Sequence, residues 1–144
     1  MAYKILVVDD EPTIVRLMEF ILARQGHEML AAANGEEALE KIRAHRPDLV
    51  LLDIMMPRFD GYEVARRVRA DPDTAPLPII MLSAKAQEED IRKGMDVGVD
   101  EYITKPFSPE HLVHVVADYL HRLNKDNQEG YPVAAASGGS SEEI

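Results

Sequence analysis

Five short runs of apolar residues recur at roughly regular intervals along the chain, and segments of helical length separate them. Several runs are continuously apolar rather than alternating, which is typical of strands that are covered on both faces. Strands that alternate with helices in this way predict a parallel sheet with helices on both sides. The five predicted strands lie in YKILVV, EMLAAA, DLVLLD, LPIIML and EYIT.

The segments between these runs predict helices. In the clearest of them Ile14, Leu17 and Ile21 fall on one helical face, in a segment that begins at Pro12 and ends before Gly26. The last segment carries a similar apolar stripe, and the three others are shorter and less regular. The five predicted helices are 12–25, 35–45, 61–71, 86–97 and 108–123.

Few topologies are compatible with right-handed crossovers, and the strand order 2-1-3-4-5 is the most economical for five strands. We therefore predict the α/β class, as a flavodoxin-like, doubly wound sandwich of five βα units. Residues 1–123 form one domain in this interpretation. Residues 124–144 are polar, small and rich in Gly and Ser, so they predict a flexible tail or linker.

The composition narrows the classes of partner. With 16 Lys+Arg against 26 Asp+Glu, the formal net charge of -10 argues against direct binding to nucleic acid or to an anionic membrane surface. The chain has no cysteine, which excludes disulfides and thiol chemistry. No apolar segment approaches the length of a signal peptide or of a membrane span, so we expect a soluble cytoplasmic protein.

Polar residues follow four of the predicted strands at the edge where those strands end. Asp9 and Asp10 follow the first strand, Asp53 the third, Ser83 the fourth and Lys105 the fifth. Three neighbouring carboxylates cannot all stay ionised without a compensating cation, and oxygen ligands favour a hard ion, Mg²⁺ above all. A carboxylate beside a metal, a hydroxyl and an ammonium is suited to be the nucleophile of phosphoryl transfer, which forms an acyl phosphate.

Each of these residues also has a simpler interpretation. An aspartate before Pro12 can cap a helix, Ser83 can be an ordinary hydroxyl at a strand end, and Lys105 can be a solvated surface lysine. A cap accounts for one acid and not for two, however, and polar groups from four strands are not easily ascribed to chance. The coincidence at one edge favours the functional interpretation.

Four motifs, VVDDEP, LLDIMMPRFDGYEV, IIMLSA and EYITKPF, resemble in order and spacing those of the receiver domain of two-component response regulators, over about residues 4–122. The resemblance implies that Asp53 is the phosphoacceptor and takes a phosphoryl group from a histidine kinase or a phosphotransfer protein. It implies further that Asp10 and Asp53 ligate Mg²⁺ directly, that Asp9 acts through water, and that the backbone carbonyl of Met55 completes the protein ligands.

The resemblance also implies a switch. Ser83 and Lys105 would hold phosphoryl oxygens, the Lys105–Pro106 peptide bond would be cis, and Ser83 would shift toward the phosphate while Tyr102 swings inward. Tyr102 can instead be a fixed core aromatic. A downstream partner protein would bind the face made by the fourth helix, fifth strand and fifth helix, and the chain would be a monomer or a phosphorylation-dependent dimer. Catalysis would be limited to its own phosphorylation and dephosphorylation.

Two residues near this edge bear on how long the acyl phosphate lasts. Met55 and Lys85 lie two positions beyond Asp53 and Ser83, where side chains are thought to tune the attack of water. Because Met55 has no polar group to orient a water molecule, we expect a persistent phosphorylated state.

Other functions stay open at this point. A Mg²⁺-dependent phosphatase with an aspartyl-phosphate intermediate usually has a second acid where this chain has Met55, and a flavodoxin-type binding module needs a phosphate-cradling loop where this chain has DDEPT. His111, His114 and His121 lie off the apolar stripe of the last helix, where a solvated face is favoured over a metal site or a contact patch. The chain is a stand-alone receiver, or else a receiver cut from a longer regulator.

Overall fold

The computed structural model describes residues 2–57 and 59–129, with side chains described as far as residue 123. Strands and helices alternate throughout these residues, as the apolar pattern predicts. The elements are β1 (Lys4–Val8), α1 (Pro12–Ala23), β2 (Glu28–Ala32), α2 (Gly35–His45), β3 (Leu49–Leu52), α3 (Gly61–Ala70), β4 (Ile79–Ser83), α4 (Glu88–Asp96), β5 (Glu101–Thr104) and α5 (Pro109–Glu129). The chain divides into two compact units, Met1–Pro109 and Glu110–Ile144.

The first unit contains the whole sheet, and its strand order is β2-β1-β3-β4-β5, which confirms the predicted order. All the pairings are parallel, with Val8 opposite both Ala32 and Leu52, and with Ser83 opposite Thr104. The last residues of neighbouring strands are therefore level with one another. Residues that follow the strands emerge at one edge, as the doubly wound fold requires.

The core of this unit lies on the three central strands, whose residues are almost all buried. Leu6, Val8 and Leu52 belong to a cluster that also contains apolar residues of α2 and α3. The alternate residues Ile5 and Val7 are fully buried as well, so both faces of the sheet are covered. Burial of each such side chain contributes roughly 1.5–3 kcal/mol of hydrophobic stabilisation. The strands are therefore held firmly in place, and so are the residues at their ends.

Helix starts are capped where the sequence supplies a suitable side chain. Asn34 accepts a hydrogen bond from the backbone N–H of Glu37 at 2.8 Å, and Asp60 accepts one from the N–H of Glu63 at 3.0 Å. Each cap satisfies a backbone donor that the first turn of a helix leaves unpaired. Asp60 therefore fixes where α3 begins, directly after the loop that leaves β3.

Several helix bounds differ from those predicted. α3 ends at Ala70 rather than at residue 71, α4 spans Glu88–Asp96 rather than 86–97, and α5 begins at Pro109 rather than at residue 108. α1 ends at Ala23 rather than at residue 25, and α5 continues to Glu129, past the end predicted at Leu123. The tail was predicted to begin at residue 124 because the sequence becomes polar there, but residues 124–129 contain neither Gly nor Pro to stop a helix. Residues 130–144 of the predicted tail lie outside the described residues, so that part stays a prediction.

The second unit is described for the part of α5 between Glu110 and Glu129. Its apolar stripe includes Leu112, Val116 and Leu120, which are buried, whereas His114 and His121 are not. Among the described residues of the whole chain, no helix combines the length and the apolar character needed to cross a membrane.

Candidate functional site

Two buried carboxylates lie side by side at the ends of β1 and β3. The backbone N–H of Asp53 donates to the carbonyl of Val8 at 3.0 Å, so the parallel pairing continues into the site. Asp9 and Asp53 are only 2% and 6% exposed, whereas their neighbour Asp10 is exposed. One oxygen from each of the three carboxylates can be chosen so that all three lie within 4.8 Å of one another. The sequence prediction that these acids share one edge is thus met by the structure.

Lys105 supplies the positive charge next to this pair. Its Nζ donates to Oδ2 of Asp9 at 2.7 Å and lies 3.5 Å from Oδ2 of Asp53. The backbone N–H of Lys105 donates to the carbonyl of Ser83 at 2.8 Å, and the Lys105–Pro106 peptide bond is cis. The sequence analysis expects a cis bond here, and the structure agrees. Lys105 is therefore held between both buried carboxylates.

The electrostatic environment of Asp53 disfavours its charged form. Burial raises the pKa of its carboxyl, as does the neighbouring charge of Asp9, while Lys105 and the N–H groups of Ile54 and Met55 act in the opposite direction. The Ile54 N–H donates to Oδ1 of Asp53 at 2.8 Å. A cation or a bond to an electrophile at this carboxylate would therefore relieve an unfavourable charge.

The two buried carboxylates favour the charged form of Lys105. Burial alone would lower the pKa of its ammonium, but the hydrogen bond to Asp9 and the charges of Asp53 and Asp9 raise that pKa above its ordinary value. The ammonium therefore stays charged at neutral pH. It remains a donor for the two carboxylates, or for any anion that approaches them.

The loop after β3 returns closely to the strand end. Gly61, the first residue of α3, donates its N–H to the carbonyl of Ile54 at 2.9 Å. A Cβ atom placed on Gly61 would lie 2.2 Å from the carbonyl oxygen of Asp53, a separation that no side chain could occupy. The sequence analysis places Gly61 only at the start of a predicted helix. The glycine in fact allows α3 to begin against Asp53.

Ser83 and Tyr102, the residues predicted to form the switch, both contact the loop between β4 and α4. Ser83 is fully buried, and its Oγ accepts a hydrogen bond from the N–H of Lys85 at 3.2 Å. The Tyr102 hydroxyl donates to the carbonyl of the same Lys85 at 2.6 Å. A Cβ placed on Gly94 would lie 3.2 Å from the Tyr102 ring, so this ring packs directly against α4.

The carboxylate cluster has the donor set that a hard divalent cation prefers. Asp9, Asp10 and Asp53 offer oxygen ligands only, and the exposure of Asp10 leaves an open approach. Burial of the other two acids disfavours three negative charges without a cation. The side chain of Met55 is 59% exposed and adds no polar ligand. The residues present therefore fit Mg²⁺.

The sequence matches a known family along most of its length. Residues 5–117 match the model of the response regulator receiver domain. The chain belongs to the family of response regulator receiver domains. The carboxylate edge is thus part of a receiver of two-component systems, as the four sequence motifs predict. It contains two acids at the end of β1, one at the end of β3 and a lysine after β5.

Relatives and solved structures agree with this assignment. The receiver is 45% identical over 119 residues to the alkaline phosphatase synthesis transcriptional regulatory protein PhoP of Bacillus subtilis, covering 83% of this chain and 49% of the relative. It is 44% identical over 125 residues to the phosphate regulon transcriptional regulatory protein PhoB of Pseudomonas aeruginosa, covering 87% and 55%. The chain spans about half the length of these curated relatives.

The fold of the receiver is similar to that of several solved structures. A putative response regulator from Chloroflexus aurantiacus superposes with a TM-score of 0.81 at 38% identity, covering 85% of this chain and all of that one. The BeF3-activated DrrB receiver domain gives a TM-score of 0.77 at 33% identity, with 85% and 100% coverage. These similarities confirm the flavodoxin-like fold.

The histidines of α5 are not part of the metal-ligand group found among the described residues. His111, His114 and His121, together with Asp118, form no group of three converging ligands among the described residues. Asp118 instead accepts a hydrogen bond from Arg122 at 2.9 Å. The sequence analysis favours a solvated helix face over a metal site here, and that interpretation stays a prediction.

Proposed function

We propose that Asp53 of this receiver accepts a phosphoryl group from the phosphohistidine of a histidine kinase or phosphotransfer protein, in a Mg²⁺-dependent reaction. The observation that carries the proposal is the position of Asp53. Its carboxylate is 6% exposed, has its pKa raised by burial, and lies with Asp9 and Asp10 within ligand distance and with Lys105 at 3.5 Å. Such a carboxylate is a suitable nucleophile for phosphorus.

Each neighbouring group has a proposed part. Asp10 and Asp53 would hold Mg²⁺ directly, Asp9 through water, and the backbone carbonyl of Met55 would complete the protein ligands. When bound, the ion supplies positive charge that offsets the carboxylates and the phosphoryl oxygens. Lys105 and the hydroxyl of Ser83 bind two phosphoryl oxygens, since both lie at the same edge as Asp53.

The bond changes are simple. One oxygen of Asp53 forms a bond to phosphorus while the bond from phosphorus to the donor imidazole nitrogen breaks, and that nitrogen keeps the electron pair and is protonated. The product is an acyl phosphate, which water later hydrolyses. In this proposal the chain catalyses only these two reactions on itself. The exposed, apolar Met55 side chain orients no water molecule, which favours a long-lived product.

The proposed output is a change of surface. Ser83 and Tyr102 meet at Lys85, through hydrogen bonds to its N–H and carbonyl groups. A movement of Ser83 toward a phosphoryl group would therefore be transmitted to the loop before α4. We assign the binding of a downstream partner protein to the surface of α4 and β5, and a phosphorylation-dependent dimer would use the same surface.

Chain length favours a second form of the same function. The relatives from B. subtilis and P. aeruginosa are named transcriptional regulatory proteins, and this chain covers 49% and 55% of them. The receiver would then control a DNA-binding output domain in a longer regulator, with no nucleic-acid contact of its own. An antibody against residues 1–123 would distinguish the two forms in a native lysate. A stand-alone receiver gives a band near 16.1 kDa, whereas a longer regulator that contains this receiver gives a larger band.

Intact-mass spectrometry tests the chemistry. The chain is incubated with acetyl phosphate, with Mg²⁺ or with EDTA, beside the variants Asp53→Asn and Asp73→Asn. We expect a single phosphoryl adduct that requires Mg²⁺, disappears in Asp53→Asn and persists in Asp73→Asn, whose aspartate is exposed. An adduct of equal yield on Asp53→Asn would refute the assignment of Asp53.

A further inference from the structure

α4 rests on the hydroxyl groups of two tyrosines. Tyr102 donates to the carbonyl of Lys85 at 2.6 Å, just before the helix, and Tyr62 donates to the carbonyl of Asp90 at 3.0 Å, in its first turn. Tyr62 is 4% exposed and comes from α3, on the other side of the loop. The two phenols therefore hold the two ends of the segment that joins β4 to α4.

The ring of Tyr62 makes a second contact with α4. The ammonium of Lys93 in α4 lies 4.5 Å from the centroid of its ring, a cation–π contact that adds a second bond between α3 and α4. Burial raises the pKa of the Tyr62 phenol to about 12, with smaller contributions from Tyr102 and Asp90. The hydroxyl therefore remains protonated at neutral pH and stays a hydrogen-bond donor.

Tyr62 is also connected to the carboxylate edge. It directly follows Gly61, whose missing side chain lets the backbone of α3 approach the carbonyl of Asp53. Since Gly61 also donates its N–H to Ile54, the first turn of α3 cannot shift independently of the end of β3. The chain from Asp53 through Gly61 and Tyr62 to Asp90 consists of close contacts throughout.

Tyr62 also lines a cavity next to the carboxylate edge. A cavity of about 540 Å³ opens between the loop after β3 and the start of α4, and its lining includes Tyr62, Lys85, Asp90 and Lys93. The hydroxyls of Tyr62 and Tyr102 donate to the carbonyls of Asp90 and Lys85, two residues that line this cavity.

We infer that Tyr62 is a positioning residue that couples the Asp53 edge to the first turn of α4, through its own contacts with Asp90 and Lys93. These contacts act beside the bond from Tyr102 to Lys85. The inference rests on the proposed function, because Asp53 is the group whose modification Tyr62 transmits. Tyr62 touches neither the phosphoryl group nor its donor. Its contribution is to make α4 follow the change at the end of β3.

The test compares two variants that each lose only a tyrosine hydroxyl. Tyr62→Phe removes the proposed coupling group, and Tyr3→Phe is the matched control near β2, where Tyr3 contacts His27. Amide signals of Ile54, Ile91 and Gly94 are followed by NMR in the full chain, with Mg²⁺ and increasing beryllofluoride, which mimics a phosphoryl group. Hydrogen exchange at Ile91 and Gly94 is measured without beryllofluoride, and acetyl phosphate adducts are measured by mass.

We expect Tyr62→Phe to keep the wild-type response at Ile54 and to lose at least half of the shift change at Ile91 and Gly94. Exchange at these two amides should become about fivefold faster, as the loss of one net hydrogen bond predicts. A merely structural role would change exchange without separating the α4 response from that of Ile54.

Two results would overturn the inference, and they are distinguishable. If Tyr62→Phe and Tyr3→Phe give the same α4 response as the wild type, the inference fails while the phosphoacceptor proposal stands. If the wild-type chain gives neither an adduct nor a beryllofluoride response at Ile54, the proposed function fails and the coupling fails with it.

Discussion

Lys105 is bound more closely to Asp9 than to Asp53, with its Nζ at 2.7 Å from one carboxylate and 3.5 Å from the other. The shorter distance does not make Asp9 its single partner. The ammonium instead compensates both buried acids, and Asp9 holds it where a group on Asp53 would also be in reach. Its removal should therefore affect the stability of the receiver as well as its chemistry.

The first prediction concerns this charge. Lys105→Met leaves two buried carboxylates without their cation, so in EDTA the free energy of unfolding should fall by about 2–4 kcal/mol. Mg²⁺ should restore part of the loss because it compensates the same charges. Urea denaturation with and without Mg²⁺ measures both effects. Arg92→Met, which removes an exposed pair with Glu88, should cost under about 1 kcal/mol. Equal losses in the two variants would contradict the prediction.

The second prediction concerns pH. Burial raises the pKa of Asp53 in the folded chain above its ordinary value of 3.8, so the unfolded chain gives up this proton first as pH rises. Stability due to this group therefore decreases as pH rises through 3.8 and stays low above the folded pKa. In EDTA, Asp53→Asn should be more stable than the wild type at neutral pH, and the difference should shrink toward acid pH.

Urea midpoints measured between pH 4 and pH 8 would show this trend, with exposed Asp73→Asn as the control. The control should follow the wild type across the range. Parallel curves for Asp53→Asn and the wild type would show that the buried carboxylate carries no such cost.

The third prediction concerns Gly61. In Gly61→Ala a methyl group meets the Asp53 carbonyl, which is backbone and cannot turn aside, so the loop or the end of β3 must shift. We expect a loss of about 1–3 kcal/mol in stability and a slower rate of adduct formation with acetyl phosphate. Gly26→Ala is the comparison, since Gly26 has open space but a φ of +93° and should lose about 1 kcal/mol from backbone strain alone. An unchanged phosphorylation rate in Gly61→Ala would contradict the prediction.

The fourth prediction concerns the opposite edge of the sheet. The Arg69 guanidinium donates to the carbonyls of Gly98, Ala75 and Leu77 and to the carboxylate of Asp100. Lysine has no planar fork to reach all four, so Arg69→Lys should lower stability by about 2–3 kcal/mol. Because these contacts lie at the start of β4, adduct formation should keep its wild-type rate.

Arg66→Lys provides the matched control for this fourth prediction. Arg66 lies on the same helix, is 51% exposed and pairs only with Glu63 among the interactions described for it. Its replacement should change stability by less than about 0.5 kcal/mol. If thermal melting shows the same small change in both variants, the contacts of Arg69 contribute no more than a surface pair.

The parts of the site that depend on strand ends were predictable from sequence. Apolar runs that end in Asp9, Asp53 and Ser83 give both the strand and its last residue, and the parallel topology then brings these ends to one edge. Periodicity was less informative on α1, where Leu17 belongs to the apolar face but is 43% exposed. A stripe of apolar residues shows which side of a helix is inward, but not how much of it the sheet covers.

The connections between helices were not predictable. Tyr62 appears in the sequence only as an aromatic residue at the start of a helix, and nothing in its neighbours indicates that its hydroxyl reaches Asp90, which lies 28 residues away. Arg69 likewise resembles the surface arginines around it. Such contacts depend on the distance between two helices packed on the same sheet, and sequence periodicity carries no information on that distance.

Asp9 and Lys105 are separated by 96 positions in the chain, yet they form the shortest ion pair at the carboxylate edge. During synthesis the first two acids leave the ribosome long before the lysine that balances them. A nascent receiver therefore leaves these buried carboxylates without the ammonium that compensates them until β5 has joined the sheet. A chain truncated before Lys105 would contain the acids without their counter-charge.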